Sequence, residues 1–212
     1  MPLCKTFAAV LLLGFVPLLL PQTPRPAPKP APSLTLDTAS ARGLIEYSFS
    51  GTGASSGDSI RLTVNKTAKA AGRTLSIDLP TGSILRSADP TSQNMVVSAL
   101  RGVDMGGGRI RPVSAIYLRD NDPVTFILSA FCAEFEKANP PPGVAFTLQP
   151  LNPALACILN QARDLSMQAR QAAVWIQTDS ISYEHMRQKF QIGPGDWTAA
   201  RSAVERCRSI GQ

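Results

Sequence analysis

The four cysteines of this sequence carry its most reactive side chains: Cys4, Cys132, Cys157 and Cys207. Cys4 precedes an apolar run that is typical of an export signal, and three cysteines remain if that signal is removed. Outside the cytoplasm, three cysteines allow one disulfide and one free thiol. Cys157 and Cys207 both belong to predicted helices, so we favour a Cys157–Cys207 disulfide with Cys132 as the free thiol. A Cys132–Cys207 disulfide is the alternative.

A thiol and a side-chain amide each belong to a short motif. Cys132 follows Phe131 in a predicted strand, and Gln171 begins the segment Gln-Ala-Ala-Val-Trp (171–175) in a predicted buried helix. These motifs resemble those of the thioester domains of Gram-positive surface adhesins, in which an aromatic residue precedes a cysteine and a Gln-x-Ala-aliphatic-Trp segment follows later. The resemblance implies that the side chains of Cys132 and Gln171 condense, with loss of ammonia, into an internal thioester. In that family the thioester captures an amine on a host surface.

The chain differs from that family at Arg170, which stands where threonine is usual. Residues 34–212 as a whole are also similar to uncharacterised bacterial secreted domains, to which we attach no function. A thiol that attacks an amide carbonyl needs a dry site. A strand cysteine that faces a glutamine of a buried helix would provide one.

Other polar residues indicate turns and surfaces. His185 is the single histidine, and its predicted helix is polar, so we expect a surface residue and not a member of a Ser-His-Asp set. The run Asp120-Asn121-Asp122 is interpreted as a turn and not as a calcium loop. The sequence therefore predicts no metal site and no cofactor.

Alternation of apolar and polar residues predicts short strands between residues 44 and 135. The strands are expected at 59–64, 74–79, 94–98, 114–118 and 124–135, with turn signals between them. The last strand is apolar on both faces and is expected to be central. Short strands with frequent turns favour an antiparallel immunoglobulin-like β-sandwich over residues 34–148.

Helical periodicity replaces this pattern from Pro153 onward. Four short helices are expected: one capped by Asn152, one over 169–176, one capped by Ser182 and one capped by Asp196. They are too short to stand alone, so a helical subdomain over 149–212 should pack on the sandwich. The predicted fold class is α+β.

The N-terminus predicts export. Lys5 precedes an uncharged apolar run at 7–20, which suits a signal peptide and is short for a membrane span. No clear cleavage site lies beside Pro21, so residues 1–20 are interpreted as a signal peptide or a signal anchor. Prolines at every second or third position of 21–33 predict a semi-rigid linker.

These features predict a secreted, periplasmic or cell-surface protein. Its net charge of +6 is diffuse and its Lys and Arg residues are scattered singly, which argues against a nucleic-acid partner. We expect a non-catalytic binding or adhesion module with an extracellular or envelope ligand, and membrane contact only through an uncleaved anchor. The thioester domain is the second interpretation. The third is an extracellular enzyme with an unfamiliar site formed by Glu134, Lys137, Gln171 and Asp179.

Overall fold

The computed structural model of the protein describes residues 33–209. The predicted export segment at 1–20 and all but the last residue of the predicted linker lie outside this range. The described residues form the strands β1 (Leu34–Thr35), β2 (Ile45–Gly51), β3 (Ser56–Lys66), β4 (Leu75–Asp78), β5 (Ile84–Ser87), β6 (Met95–Asp104), β7 (Ile110–Pro112), β8 (Ile116–Leu118), β9 (Val124–Cys132) and β10 (Ala145–Gln149). Their helices are α1 (Leu36–Ala41), α2 (Pro153–Gln161), α3 (Met167–Asp179), α4 (Tyr183–Met186) and α5 (Pro194–Arg206). None of these helices is long and apolar enough to cross a membrane.

Six antiparallel strands close into a barrel, so the predicted immunoglobulin-like sandwich is wrong. The strands are hydrogen-bonded in the order β5, β10, β2, β3, β9, β6, and β6 pairs back to β5. β7 extends the sheet beyond β6, while β1, β4 and β8 form a separate small sheet. The α+β class is consistent with the structure, because α2 to α5 follow the barrel in the chain.

Bulges in the long strands explain how the sheet closes. β3 and β6 flank β9, and the register shifts between Asp58 and Ile60 in β3 and between Val97 and Ala99 in β6. Such bulges bend a strand and increase its twist, so that the sheet curls until its edges meet. β5 makes the junction by pairing with β10 on one side and β6 on the other. Periodicity identifies the faces of a strand but not its neighbours, so the sequence pattern did not distinguish a barrel from a sandwich.

β9 is buried on both faces, in agreement with its unbroken apolar run. Leu128, Ala130 and Cys132 belong to the main core, whereas Phe131 belongs to a second cluster with Val174 of α3. Because successive side chains point to opposite faces of a strand, Cys132 faces the barrel interior and Phe131 faces the helices. The strand ends at Cys132 and not at the predicted residue 135.

The helix caps are largely those predicted. Asn152 caps α2 by accepting a hydrogen bond from the Leu155 N–H, and Ser182 caps α4. The last helix is an exception, because α5 begins at Pro194 and not after Asp196. Proline suits the first turn of a helix, where its missing N–H would have no partner within the helix.

A disulfide joins α2 to the residue after α5. It links Cys157 and Cys207, whose Cα atoms are 5.8 Å apart, and this is the pairing favoured from the sequence. Cys132 is the free, buried cysteine of the described residues. Since disulfides persist in oxidising compartments, this bond indicates an oxidising setting such as the extracellular space.

Gly82 lies in the turn before β5, where this turn touches α2. Its φ is +88°, and a Cβ built on it would lie 2.6 Å from backbone atoms of Ala156. We expect Gly82→Ala to lower the free energy of unfolding by about 2 kcal/mol, because the methyl group overpacks the contact and strains the left-handed backbone. Gly72→Ala is the matched control, since Gly72 has a φ of +71° and nothing within 4 Å of an added Cβ. Equal losses in chemical denaturation would contradict the close contact between the turn and α2.

Candidate functional site

Gln171 contacts Cys132 directly, so the structure brings these two predicted residues together. The Cys132 N–H donates to Gln171 Oε1 at 3.1 Å, and Gln171 Nε2 donates to the Cys132 carbonyl oxygen at 2.8 Å. Both residues are buried, with exposed fractions of 0 % for Cys132 and 2 % for Gln171. The amide carbon of Gln171 therefore lies beside the residue that carries the thiol.

The Gln171 amide occupies the place of a strand residue at the end of β9. On one side of β9, Cys132 pairs with Met95 of β6, whereas the last pair with β3 on the other side is Ser56 with Phe131. The Cys132 backbone thus extends beyond β3, and its buried N–H and C=O need partners. A carboxamide carries both a donor and an acceptor, so Gln171 satisfies both groups.

Contacts at the start of α3 fix the position of Gln171. Ser166 caps the helix, and its Oγ donates to Asp196 of α5 at 2.7 Å. The guanidinium carbon of Arg170 lies 4.9 Å from the centre of the Phe131 ring, a cation–π contact. Arg170 directly precedes Gln171, and Phe131 directly precedes Cys132. Their contact therefore holds the helix against the strand at the site.

The Cys132 thiol lies in a closed environment. Its Sγ donates to the Ser55 carbonyl oxygen at 3.0 Å and lies 3.7 Å from Met95 Sδ. Burial raises the pKa of the Cys132 thiol to about 12, and the charge of Glu134 also raises it. The side chain is therefore a protonated thiol at neutral pH.

Gln93 and Asn94, which directly precede β6, bind the segment that follows Cys132. The Glu134 N–H donates to Gln93 Oε1 at 3.2 Å, and Glu134 Oε2 accepts from the Asn94 N–H at 2.8 Å. Gln93 Nε2 in turn donates to the Lys137 carbonyl oxygen at 3.1 Å. Sequence reasoning missed Gln93, because a single amide in a connection between strands has no periodic signal.

A cavity of about 320 Å³ lies beside the Cys132–Gln171 pair. Gln171 and Trp175 line it from α3, and Lys137 and Lys189 line it from the segments that follow β9 and α4. Its volume is at the lower end of the range for ligand sites, so it suits a small molecule or a single side chain.

Trp175 is the largest side chain of this cavity wall. Its ring packs edge-on against Phe135 and Phe190, with centroids 5.0 Å apart in each pair. The residue is 7 % exposed, and its Nε1–H has no hydrogen-bond partner in the described part of the chain. The cavity therefore has an aromatic wall, while the unpaired Nε1–H of Trp175 is itself buried.

Comparison of the chain with models of protein families, with curated proteins and with solved structures found no match. The arrangement of residues at this site is therefore the basis on which a function can be proposed.

The residues predicted for an unfamiliar enzyme site come together only in part. Lys137 and Gln171 line the cavity, and Lys137 Nζ lies 2.8 Å from Glu134 Oε1. Asp179 is the last residue of α3 and is not part of the cavity lining. Burial raises the pKa of its carboxyl group. The four residues therefore do not form a single polar cluster in the cavity.

His185 is an exposed residue of α4, and its side chain contacts the segment that follows β9. Its Nε2 lies 2.9 Å from Glu136 Oε1, and Lys189 Nζ contacts Glu136 Oε2. The pKa of Glu136 is lowered, first by the hydrogen bond from Lys189. Within residues 33–209, no group of three or more His, Cys, Asp or Glu side chains is placed to hold a metal ion.

Proposed function

We propose that the protein is an exported, non-enzymatic adhesion module that attaches to its target covalently, through a thioester between Cys132 and Gln171. The observation that carries the proposal is the direct contact between the Gln171 amide and Cys132, in a buried site beside a cavity. The resemblance to thioester domains supports the same pair, because it rests on the two motifs that meet here. The Cys157–Cys207 disulfide and the export signal predicted at 1–20 support a location at the cell surface or in the envelope.

The proposed reaction needs no oxidant and no cofactor. The Cys132 sulfur attacks the amide carbon of Gln171, the carbon–nitrogen bond breaks, and the nitrogen leaves as ammonia together with the thiol proton. In the capture step, the nitrogen of a target amine attacks the thioester carbon and an amide forms. Cys132 leaves as a thiol, with a proton from the amine. The target is then joined to Gln171, and no turnover follows.

The contacts of the pair suit this chemistry. The hydrogen bonds to the Cys132 backbone hold the Gln171 amide beside the residue that carries the thiol. The Cys132 N–H donates to Gln171 Oε1, and it can stabilise the negative charge that develops on that oxygen during attack. A thioester is neutral, so the burial that disfavours a thiolate does not disfavour the thioester bond. Burial also protects this bond from water.

A reversible binding module is the second candidate, and the same hydrogen bonds favour it. The Gln171 amide satisfies two buried backbone groups of Cys132, which is by itself a structural reason for glutamine at this position. In this case the cavity binds a small extracellular ligand, and the thiol and the amide stay unreacted.

Treatment with methylamine distinguishes the two candidates. The chain is purified without amine buffers, incubated with methylamine and analysed by peptide mass spectrometry. We expect a methylamide at Gln171 and the appearance of one alkylatable thiol at Cys132. Cys132→Ala keeps the backbone hydrogen bonds and should incorporate no methylamine. Unmodified Gln171 in the wild type, with Cys132 free before treatment, would favour reversible binding.

The free thiol should react slowly with alkylating reagents in the native state. The chain is first treated with methylamine, so that every Cys132 is a thiol, and then exposed to iodoacetamide. Because burial raises the thiol pKa from 9.0 to about 12, the thiolate fraction at pH 8 is about a thousandfold lower than in an unfolded chain. We expect a similarly lower rate, rising about tenfold per pH unit from pH 8 to pH 10. A native rate equal to that in denaturant would contradict the buried thiol.

A further inference from the structure

We propose that the barrel has a second ligand site, at the end away from Cys132, which binds a small organic carboxylate with an apolar body. The site is a cavity of about 550 Å³, a volume within the range of small-molecule sites, which often lie in barrel mouths. It shares no lining residue with the cavity beside Gln171. Phe126 of its floor lies about 20 Å from Cys132 along β9, at about 3.3 Å per residue. The proposal therefore does not depend on the thioester.

The floor of this cavity is apolar and belongs to the inner face of the barrel. Phe126 of β9 pairs with Val103 of β6, and directly paired side chains lie on the same face of a sheet. That face is the one from which Cys132 points into the barrel, because alternate residues of a strand share a face. Val103 and Val124 are partly buried and line the cavity together with Phe126. Apolar ligand atoms that displace water from this floor are stabilised there.

The register of β7 places Arg111 beside this floor. Arg111 pairs with Val103, so Arg111, Val103 and Phe126 form one row across β7, β6 and β9. Side chains of one row project from the same face of the sheet. Arg111 accordingly lines the cavity, and its side chain leaves the strand on the inner face of the sheet and not on the outside of the barrel.

Arg119 is the second cationic residue of the cavity wall, and a buried lysine fixes its backbone. Lys66 Nζ donates to the carbonyl oxygens of Arg119 at 2.7 Å and Arg73 at 2.8 Å. Lys66 is 5 % exposed, so its ammonium group lies inside the protein beside Arg119. In the described part of the chain, no carboxylate forms an ion pair with Lys66, Arg111 or Arg119. Asp120 is the one carboxylate of the described lining, so positive charge prevails here.

An exposed aromatic ring completes the wall and indicates the class of ligand. Tyr117 of β8 lines the cavity and is 53 % exposed, so one face of its ring is open to a ligand. A guanidinium group binds a carboxylate through two parallel N–H groups. Since Arg111 and Arg119 have no carboxylate partner in the described chain, their donors are open to a ligand. The cavity therefore suits a carboxylate at the arginines, with its apolar body against Tyr117 and the floor.

3-Phenylpropionate is the probe that tests this site, and 3-phenylpropanamide is its neutral counterpart. Binding to the full chain is followed by ¹H–¹⁵N chemical shifts, which also locate the site. We expect the acid to bind about tenfold more tightly than the amide, as one hydrogen bond to a charged group implies. Acetate has the carboxylate without the apolar body and should bind more weakly than either. Equal affinities of the acid and the amide, or shifts confined to residues outside the cavity, would overturn the inference.

Three exposed arginines allow a matched set of variants. Arg111→Gln and Arg119→Gln should each reduce the advantage of the acid over the amide at least about threefold and leave the affinity of the amide unchanged. Arg109→Gln is the control, because Arg109 directly precedes β7 and is not among the described lining residues. Substitutions of such exposed side chains leave the fold intact. An advantage that persists in the Arg111→Gln/Arg119→Gln double variant, or that Arg109→Gln reduces equally, would contradict the carboxylate site.

Discussion

Replacement of both half-cystines by serine, in a Cys157→Ser/Cys207→Ser variant, should lower the free energy of unfolding by about 4 kcal/mol. The disulfide closes a loop across a sequence separation of 50 residues, and the chain entropy that it removes from the unfolded state has this magnitude. The bond also ties α2 to the end of α5, which packs against the helix that carries Gln171. Chemical denaturation of the variant and the wild type under non-reducing conditions measures the loss.

Reduction of the wild type is the matched control for this variant. A thiol reductant should lower wild-type stability to that of the variant and leave the variant unchanged, because the variant has no disulfide to lose. A loss of less than about 1 kcal/mol would contradict this contribution of the disulfide to stability.

In a Cys132→Ala background, where the Gln171 amide cannot react, Gln171→Ala should lower the free energy of unfolding by about 3 kcal/mol. The substitution leaves the N–H and the C=O of residue 132 buried without partners, and each unpaired group costs about 1–3 kcal/mol. In the chain that keeps Cys132, it also removes the acyl group, so methylamine incorporation at this position must disappear. Denaturant unfolding and peptide mass spectrometry measure the two effects.

Two controls separate the contributions of the amide and the thiol. Gln168 is exposed on the same helix, so Gln168→Ala should change the stability by no more than about 0.5 kcal/mol. Cys132→Ala keeps the backbone groups that Gln171 pairs with, so it should abolish amine capture at a smaller cost in stability than Gln171→Ala. A loss for Gln171→Ala no larger than that for Gln168→Ala would contradict the paired backbone.

Local sequence patterns predicted the elements that carry the site. The apolar run before Cys132 indicates a strand buried on both faces, and the apolar segment around Gln171 indicates a buried helix; the structure has both. The two motifs on these elements pointed to the cysteine and the glutamine as a pair, and they are in contact. The placement of Cys157 and Cys207 on predicted helices favoured the disulfide that the structure has.

The architecture around the site depends on contacts that local patterns do not encode. β5 and β10 were not among the predicted strands, yet their pairing closes the barrel. Ser55 and Gln93 lie in connections between strands and reach the site only because the barrel brings those connections together. The cavity likewise combines residues from separate segments, so it could not be predicted before the fold was known.

The mass of the intact, freshly purified chain tests covalent capture most directly. We predict a mass about 17 Da below that of the unmodified chain for the lost ammonia, besides about 2 Da for the disulfide. Cys132 should be closed to alkylation when the chain is rapidly denatured, and Gln171→Ala should show only the loss for the disulfide. A wild-type mass without the loss of about 17 Da, together with an alkylated Cys132, would contradict the thioester.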